Sequence, residues 1–405
     1  MILERKIKLE KNFFKIFFIN ALLNIKMINI VLSLFYVYRG LELSDIFYLG
    51  IVYSIAVLLS EVPSSYLADS FGRRRAVILA SFFGILHWVF FLIADSFLFF
   101  AIGTIFYALA ESFMSGTDEA LVYDTNRELG NPDASLQKLS RYFSSERIFK
   151  IVSALIGAVI AQNLVNWQFN TIILIDLAAS LVAVGFALTL AEPRHFTDLE
   201  KQEAGLIKDA YAIIADDKKL RITILNKSLI YISATVCWMY MTVLFVGRLG
   251  VSLIALGVVW GGHHLAIVAA NHYLHNWFPR KTHAFKINLL NYLFLASIAS
   301  FIVCWFGFSY KYLMLAFFLL VQFFVAIRRS IFSDLLNKQF KSYNRATALS
   351  LANFAEHVFF LPLLLLAGFL IDQNIILPYF LALVIGLVVV VFFHLRTDDQ
   401  HFKLI

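Results

Sequence analysis

The stretch Arg73-Arg-Arg-Ala-Val-Ile-Leu-Ala-Ser-Phe-Phe-Gly-Ile-Leu-His-Trp-Val-Phe-Phe-Leu-Ile93 opens on a cluster of arginines and then carries no charged residue until Asp95. An uncharged run of this length matches the hydrocarbon core of a bilayer, which takes about 20 residues of α-helix to cross. The arginines at its head are the kind of connector that stays on one side of the membrane. Reading outward from here, the same alternation of apolar run and charged connector recurs along the chain.

Of the 405 residues, 60% are hydrophobic, 15% are charged and 42 are Phe. A soluble domain usually carries about 25% charged residues. A water-soluble fold has no interior large enough for so much apolar surface, whereas lipid is itself a solvent for it. Twelve spans are expected, at 13–38, 43–68, 76–95, 97–124, 142–164, 170–191, 221–246, 252–274, 284–307, 311–337, 347–371 and 375–395. The fold class is therefore an all-α polytopic membrane protein with twelve transmembrane helices in two pseudo-symmetric six-helix halves, residues 1–191 and 221–405. The polar segment 192–220 divides them. Within it, Leu199, Leu206, Ala210, Ile213 and Ile214 recur at roughly helical spacing with Lys201, Lys208 and Asp209 between, which predicts a short amphipathic helix on the membrane face.

The net charge of +7 and pI of about 9.2 do not point to a nucleic-acid partner, because the charges sit between the apolar runs. With a cytoplasmic N-terminus, the outer connections hold only Arg39, Arg248 and Lys311, and every other basic connector lies inside. That asymmetry follows the positive-inside rule and places both termini in the cytoplasm. Cys237 and Cys304 both fall in apolar runs and predict no disulfide framework. No small-residue cleavage site follows the charged segment Met1 to Lys11, so no removable leader is expected. A faint repeat supports the six-plus-six plan. Ser115-Gly-Thr-Asp-Glu-Ala-Leu-Val-Tyr-Asp-Thr-Asn126 ends the fourth span, and Ser330-Ile-Phe-Ser-Asp-Leu-Leu-Asn337 ends the tenth.

The connection between spans two and three reads Glu61-Val-Pro-Ser-Ser-Tyr-Leu-Ala-Asp-Ser-Phe-Gly-Arg-Arg-Arg75. It resembles the signature of the major facilitator superfamily, Gly-x-Leu-Ala-Asp-x-x-Gly-Arg-Arg/Lys, at Leu67, Ala68, Asp69, Gly72, Arg73 and Arg74. Ser65 stands where the first Gly is expected. The resemblance implies a conformational latch in which Asp69 lies against the start of span eleven, near Arg345, where a helix N-terminus favours a carboxylate. Gly72 would permit the tight turn, and Arg73 and Arg74 would pair with acidic groups at neighbouring helix ends. On the bland alternative these arginines only set topology. Ser115 to Asp124, and Asn337 with Arg345 to Ser350, resemble a bacterial subgroup of the superfamily. No Arg precedes Gly116, and span five lacks the Gly-Pro-x-x-x-Gly pattern of drug–proton antiporters.

An ionisable group at mid-membrane costs about 2.5–3.5 kcal/mol, so it faces a cavity or a partner. Lys26 lies near the middle of span one and Glu111 just past the middle of span four. His263 and His264 are mid-span in the eighth, and Glu356 and His357 in the eleventh. Arg147, Lys227, Arg328 and Arg329 fall in the cytoplasmic third, and Asp176 in the outer third. The resemblance implies that spans one, four, seven and ten line the path, with help from two, five, eight and eleven. Lys26, Glu111, Arg147, Lys227, His263, His264, Arg328 and Glu356 all sit on such helices. Their cationic excess predicts a cavity for an anionic or zwitterionic organic solute. The alternative for Arg147, Lys227, Arg328 and Arg329 is that they snorkel to the surface. Glu111 and Glu356, then the two histidines, are the candidates for proton coupling.

The expected function is a proton-coupled secondary transporter of the inner membrane, working by alternating access as a monomer, with no cofactor, no metal and no nucleic-acid partner. Efflux of an amphipathic drug or siderophore is the alternative. A metal-dependent membrane enzyme is the reading from another class, since His263, His264, His272 and His275 cluster around span eight. However, twelve residues separate His263 from His275, about 18 Å of helix, too far for a shared ion. A receptor on the same fold is a third reading. No Gly-x-x-x-x-Gly-Lys-Ser/Thr loop supports ATP-driven pumping.

Overall fold

A computed structural model of the chain describes residues 2–130, 135–194, 217–273, 281–307, 310–339 and 345–395. The expected amphipathic helix between the halves lies outside the described residues. Among the described residues all regular structure is helical. Among these residues ten helical stretches are long and apolar enough to cross a membrane, and two shorter apolar helices, Ile148–Ile160 and Leu377–Phe392, bring the count to the expected twelve. The chain clusters into two compact units. The first is Met1–Asp45, Leu49–Asp198 and Ser252–Gly261; the second is Ile46–Tyr48, Leu199–Val251 and Gly262–Ile405.

The first unit contains α1 (Ile2–Leu23), α2 (Leu32–Tyr38), α3 (Leu43–Phe71), α4 (Arg73–Ile93), α5 (Phe97–Met114), α6 (Thr117–Glu128), α7 (Ser135–Ile160) and α8 (Asn166–Leu188). Helix α4 packs against both α5 and α8, and α1 against α7 and α8. Ile16 and Ile19 of α1 meet Val77 of α4, Leu121 and Val122 of α6, and Ala183 and Ala187 of α8 in one buried apolar cluster.

Two expected spans are not single rods. Span one, expected as 13–38, stops at Leu23, passes through a 3₁₀ turn at Met27–Ile30 and resumes as α2. Asn24 turns its amide back to the carbonyl and side-chain oxygens of Asn20, both at 2.9 Å. Such local bonding offers the backbone an alternative to the helix ladder. Beyond the break, the Met27 and Ile28 amides donate to the Asp176 carboxylate at 2.9 and 3.2 Å instead of to the preceding turn. Gly157 of α7 packs on this turn so closely that a Cβ there would collide with the Met27 carbonyl oxygen. Span four, expected as 97–124, divides at Gly116, whose φ of +72° is left-handed and separates α5 from α6.

The second unit contains α9 (Lys218–Met239), a π-helical turn at Val243–Arg248, the part of α10 (Leu253–Tyr273) from Gly262 onward, α11 (His283–Gly307), α12 (Lys311–Gln339), α13 (Arg345–Gln373) and α14 (Leu377–Phe392). Asp217 caps α9 by accepting from the amides of Lys219 at 2.8 Å and Leu220 at 3.1 Å. Ala284, Ile287 and Leu290 of α11 form a buried cluster with Ile327, Ile331 and Phe332 of α12. Phe301 and Tyr379 stack at 4.0 Å between centroids, joining α11 to α14. In both units large apolar side chains such as Leu59, Trp167, Phe306 and Phe392 remain exposed. In lipid these meet acyl chains, so their exposure carries no hydrophobic penalty.

Candidate solute cavity and its ion pairs

The break in span one exposes a cavity of about 290 Å³ within the first unit. Lys26 reaches it from the break, His87 and Trp88 from α4, Tyr107 and Glu111 from α5, and Asp118 from α6. The Lys26 ammonium donates to Glu111 Oε1 and to the Tyr107 hydroxyl, each at 3.0 Å. It also stands 4.7 Å from the centre of the Tyr107 ring. The Lys26 side chain is 13% exposed and that of Glu111 47%, so the cation is tucked in while the carboxylate faces the open cavity.

The second unit holds another ion pair. Lys227 Nζ lies 3.1 Å from Glu356 Oε2, and both side chains are largely buried. Beside it, Arg328 is only 2% exposed. Its guanidinium donates to the backbone and side-chain oxygens of Asn226, and to the Lys227 carbonyl at 3.3 Å. It lies over the Phe332 ring, 4.5 Å from the centroid. Arg328 therefore does not snorkel. It is held inward, because the carbonyl oxygens of Asn226 and Lys227 and the Asn226 side chain give its two terminal nitrogens the partners that water would otherwise supply. His263 is buried with its ring 6.0 Å from that of His264 and 6.3 Å from Phe323. The side chains of Arg147, Asp69, Arg345 and His272, and His275 altogether, lie outside the described residues. Among the described residues, no group of three or more His, Cys, Asp or Glu side chains is placed to hold a metal ion.

At Gly72 the chain turns with φ +101° and ψ 148°, and this single residue links α3 to α4. The first amides of α4, Arg73 N and Arg74 N, donate to the two carboxylate oxygens of Glu192 at 2.7 and 2.9 Å. An anion belongs at such a helix N-terminus. A Cβ at Gly72 would sit 2.9 Å from that carboxylate. The Arg74 guanidinium donates to the Leu188 carbonyl at the end of α8 at 2.7 Å, and Arg73 Nε lies 3.9 Å from Asp124. Arg73 thus faces an acidic group, while Arg74 meets a helix C-terminus. Gly72→Ala combines a rarely allowed backbone conformation with this clash. It is expected to destabilise the protein by about 1–3 kcal/mol, read as a lowered melting temperature in detergent; an unchanged melt would refute the strain.

The sequence profile of the Major Facilitator Superfamily matches residues 16–361. The chain belongs to this superfamily. It is a multi-pass membrane protein of that family, and its solved neighbours share the twelve-helix fold. A variant of the nucleoside transporter NupG superposes with a TM-score of 0.78 at 13% identity, covering 96% of this chain and 98% of that one. The D-xylose-proton symporter follows at 0.74 and 12% identity, over 97% and 98%. Among curated relatives, the uncharacterized MFS-type transporter YxaM of Bacillus subtilis (strain 168) is 24% identical over 47% of this chain and 48% of its own length. The probable galactarate/D-glucarate transporter GudP of the same organism is 28% identical over 44% and 40%. The chain thus spans about half the length, or less, of the curated relatives it matches.

Within this superfamily member, sequence reading missed Tyr107, His87, Glu192 and Asn226, and it gave Asp176 a depth but no partner. Asp176 is the case that carried a signal, a lone carboxylate in an apolar helix. Tyr107 and His87 are camouflaged among many aromatic residues, and Glu192 reads as the first residue of a polar connector.

Proposed function

We propose that this protein moves a small anionic or zwitterionic organic solute across the bacterial inner membrane by proton-coupled alternating access. The observation that carries the proposal is the Lys26–Glu111 pair at the wall of the first unit's cavity. In this mechanism a solute carboxylate takes the Lys26 ammonium, Glu111 loses its counterion, and Glu111 accepts a proton from cavity water. Release of the solute restores the pair and returns the proton. Lys227 and Glu356 repeat the arrangement in the second unit, with Arg328 holding the α9 backbone beside them. Arg147, His263 and His264 are assigned supporting places along the path.

The moving parts are the halves 1–191 and 221–405, joined by 192–220, with both termini cytoplasmic. Asp69, Gly72, Arg73, Arg74 and Arg345 form the latch on that side. The named solutes of two relatives, a sugar diacid and a sugar carried with a proton, support the solute class and the coupling.

The test is uptake into proteoliposomes under an imposed proton gradient, with solutes first chosen by thermal stabilisation of the detergent-solubilised protein. Carboxylate-bearing solutes are expected to stabilise and to accumulate with the gradient. Wild-type coupling in both Glu111→Gln and Glu356→Gln would remove these carboxylates from the mechanism.

A further inference from the structure

The cavity has one wall with no formal charge. Helix α4 contributes Ala80, Gly84, His87 and Trp88 to it. His87 is 6% exposed, and its Nδ1 lies 2.9 Å from the Gly103 carbonyl oxygen. A carbonyl oxygen only accepts, so Nδ1 carries the hydrogen and the neutral ring presents Nε2 as an acceptor. The ring packs against Trp88, Phe91 and Tyr107, at centroid distances of 4.3, 4.2 and 5.1 Å, which support this orientation. Gly103 permits this approach, because a Cβ there would lie 2.8 Å from the Phe91 ring. Among the described residues no group bonds Nε2, and His87 lines the cavity. Tyr107 contacts both His87 and Lys26, so a neutral acceptor and a cation flank the same ring.

We propose that this cavity selects hydroxylated carboxylates over plain ones of equal length, and that His87 makes the selection by accepting a hydrogen bond from a solute hydroxyl while Lys26 holds the acid group. The inference rests on the reading above that a solute carboxylate sits at Lys26. A hydroxyl suits His87 better than an ammonium does, because an ammonium finds stronger partners in Glu111 and Asp118 on the charged wall. His87 is a specificity residue that sequence reading offers no reason to pick from an aromatic-rich helix.

The test uses the purified full chain and two six-carbon diacids, D-glucarate and adipate, of which only the first has hydroxyls. Wild-type protein is expected to bind D-glucarate about tenfold more tightly, the worth of roughly one net hydrogen bond. His87→Asn keeps a donor toward Gly103 and loses the Nε2 acceptor. It is expected to bring D-glucarate down to the adipate level and leave adipate unchanged. His87→Phe, which keeps the ring packing and loses both nitrogens, is the second variant and has the same expected result. His87→Gln, whose amide reaches toward the Nε2 position, is expected to restore part of the preference. Equal wild-type affinities, or a preference that survives in His87→Asn and His87→Phe, would overturn the selection by His87 while leaving the carboxylate site at Lys26 intact. Binding of neither diacid would overturn the carboxylate reading and this inference together.

Discussion

Lys26→Met is expected to abolish solute-driven transport and to lower thermal stability, while the double variant Lys26→Met/Glu111→Gln recovers most of the stability and none of the transport. Removing one partner of a buried ion pair leaves the other as an uncompensated charge, a loss of about 3–5 kcal/mol when both groups are fully enclosed. Here the Glu111 side chain is 47% exposed to the cavity, so water screens part of the penalty and about 1–3 kcal/mol is the expected range. Neutralising both groups removes the stranded charge, and polar or apolar side chains of similar volume pack in its place. Transport stays lost because neither the solute-binding cation nor the proton-accepting carboxylate is present. Melting curves in detergent and proteoliposome uptake read the two effects separately. If the single and double variants melt together, the pair has no energetic coupling; if Lys26→Met transports like wild type, the cavity lysine has no part in the cycle.

Asp176→Ala is the second large effect, and it acts through the backbone. Asp176 is completely buried, and its carboxylate accepts from the Met27 and Ile28 amides. Those amides sit where α1 has already ended, so they have no helical acceptor to fall back on. Each buried donor left without a partner costs about 1–3 kcal/mol, which gives roughly 2–6 kcal/mol for the pair. Asp176→Asn keeps one acceptor oxygen for the two donors and is expected to lose about half as much. Because Lys26 directly precedes Met27, release of the turn also moves the lysine away from Glu111. The expected outcome is therefore a graded series in melting temperature, wild type above Asn above Ala, with transport falling in the same order. A variant Asp176→Ala that melts with wild type would mean that the 3₁₀ turn holds itself.

How much of this was legible in the chain differs by level. The twelve spans were readable because partition between water and hydrocarbon depends on the composition of each segment alone. The uncharged run from Ala76 to Ala94 has one comfortable solvent wherever it packs. The turn at Gly72 was expected for another reason, the resemblance of Gly72, Arg73 and Arg74 to a family signature. The individual ionisable residues were visible too, because Lys26, Glu111, Lys227 and Glu356 each violate the apolar rule that surrounds them. What covers α4's first amides was not visible, since Glu192 is more than a hundred residues away from them in the chain.

Sequence by itself determined that this chain dissolves in a bilayer, where it crosses, and which residues are too polar to face lipid, because those are properties of single side chains and local runs. Tertiary structure decided that Lys26 meets Glu111 across 85 residues, that Asp176 holds the turn at Met27 across 149, and that span one breaks at all. Pairing depends on which helix faces meet at which height, and a continuous helix and a broken one are distinguished only by an acceptor supplied from a distant part of the chain.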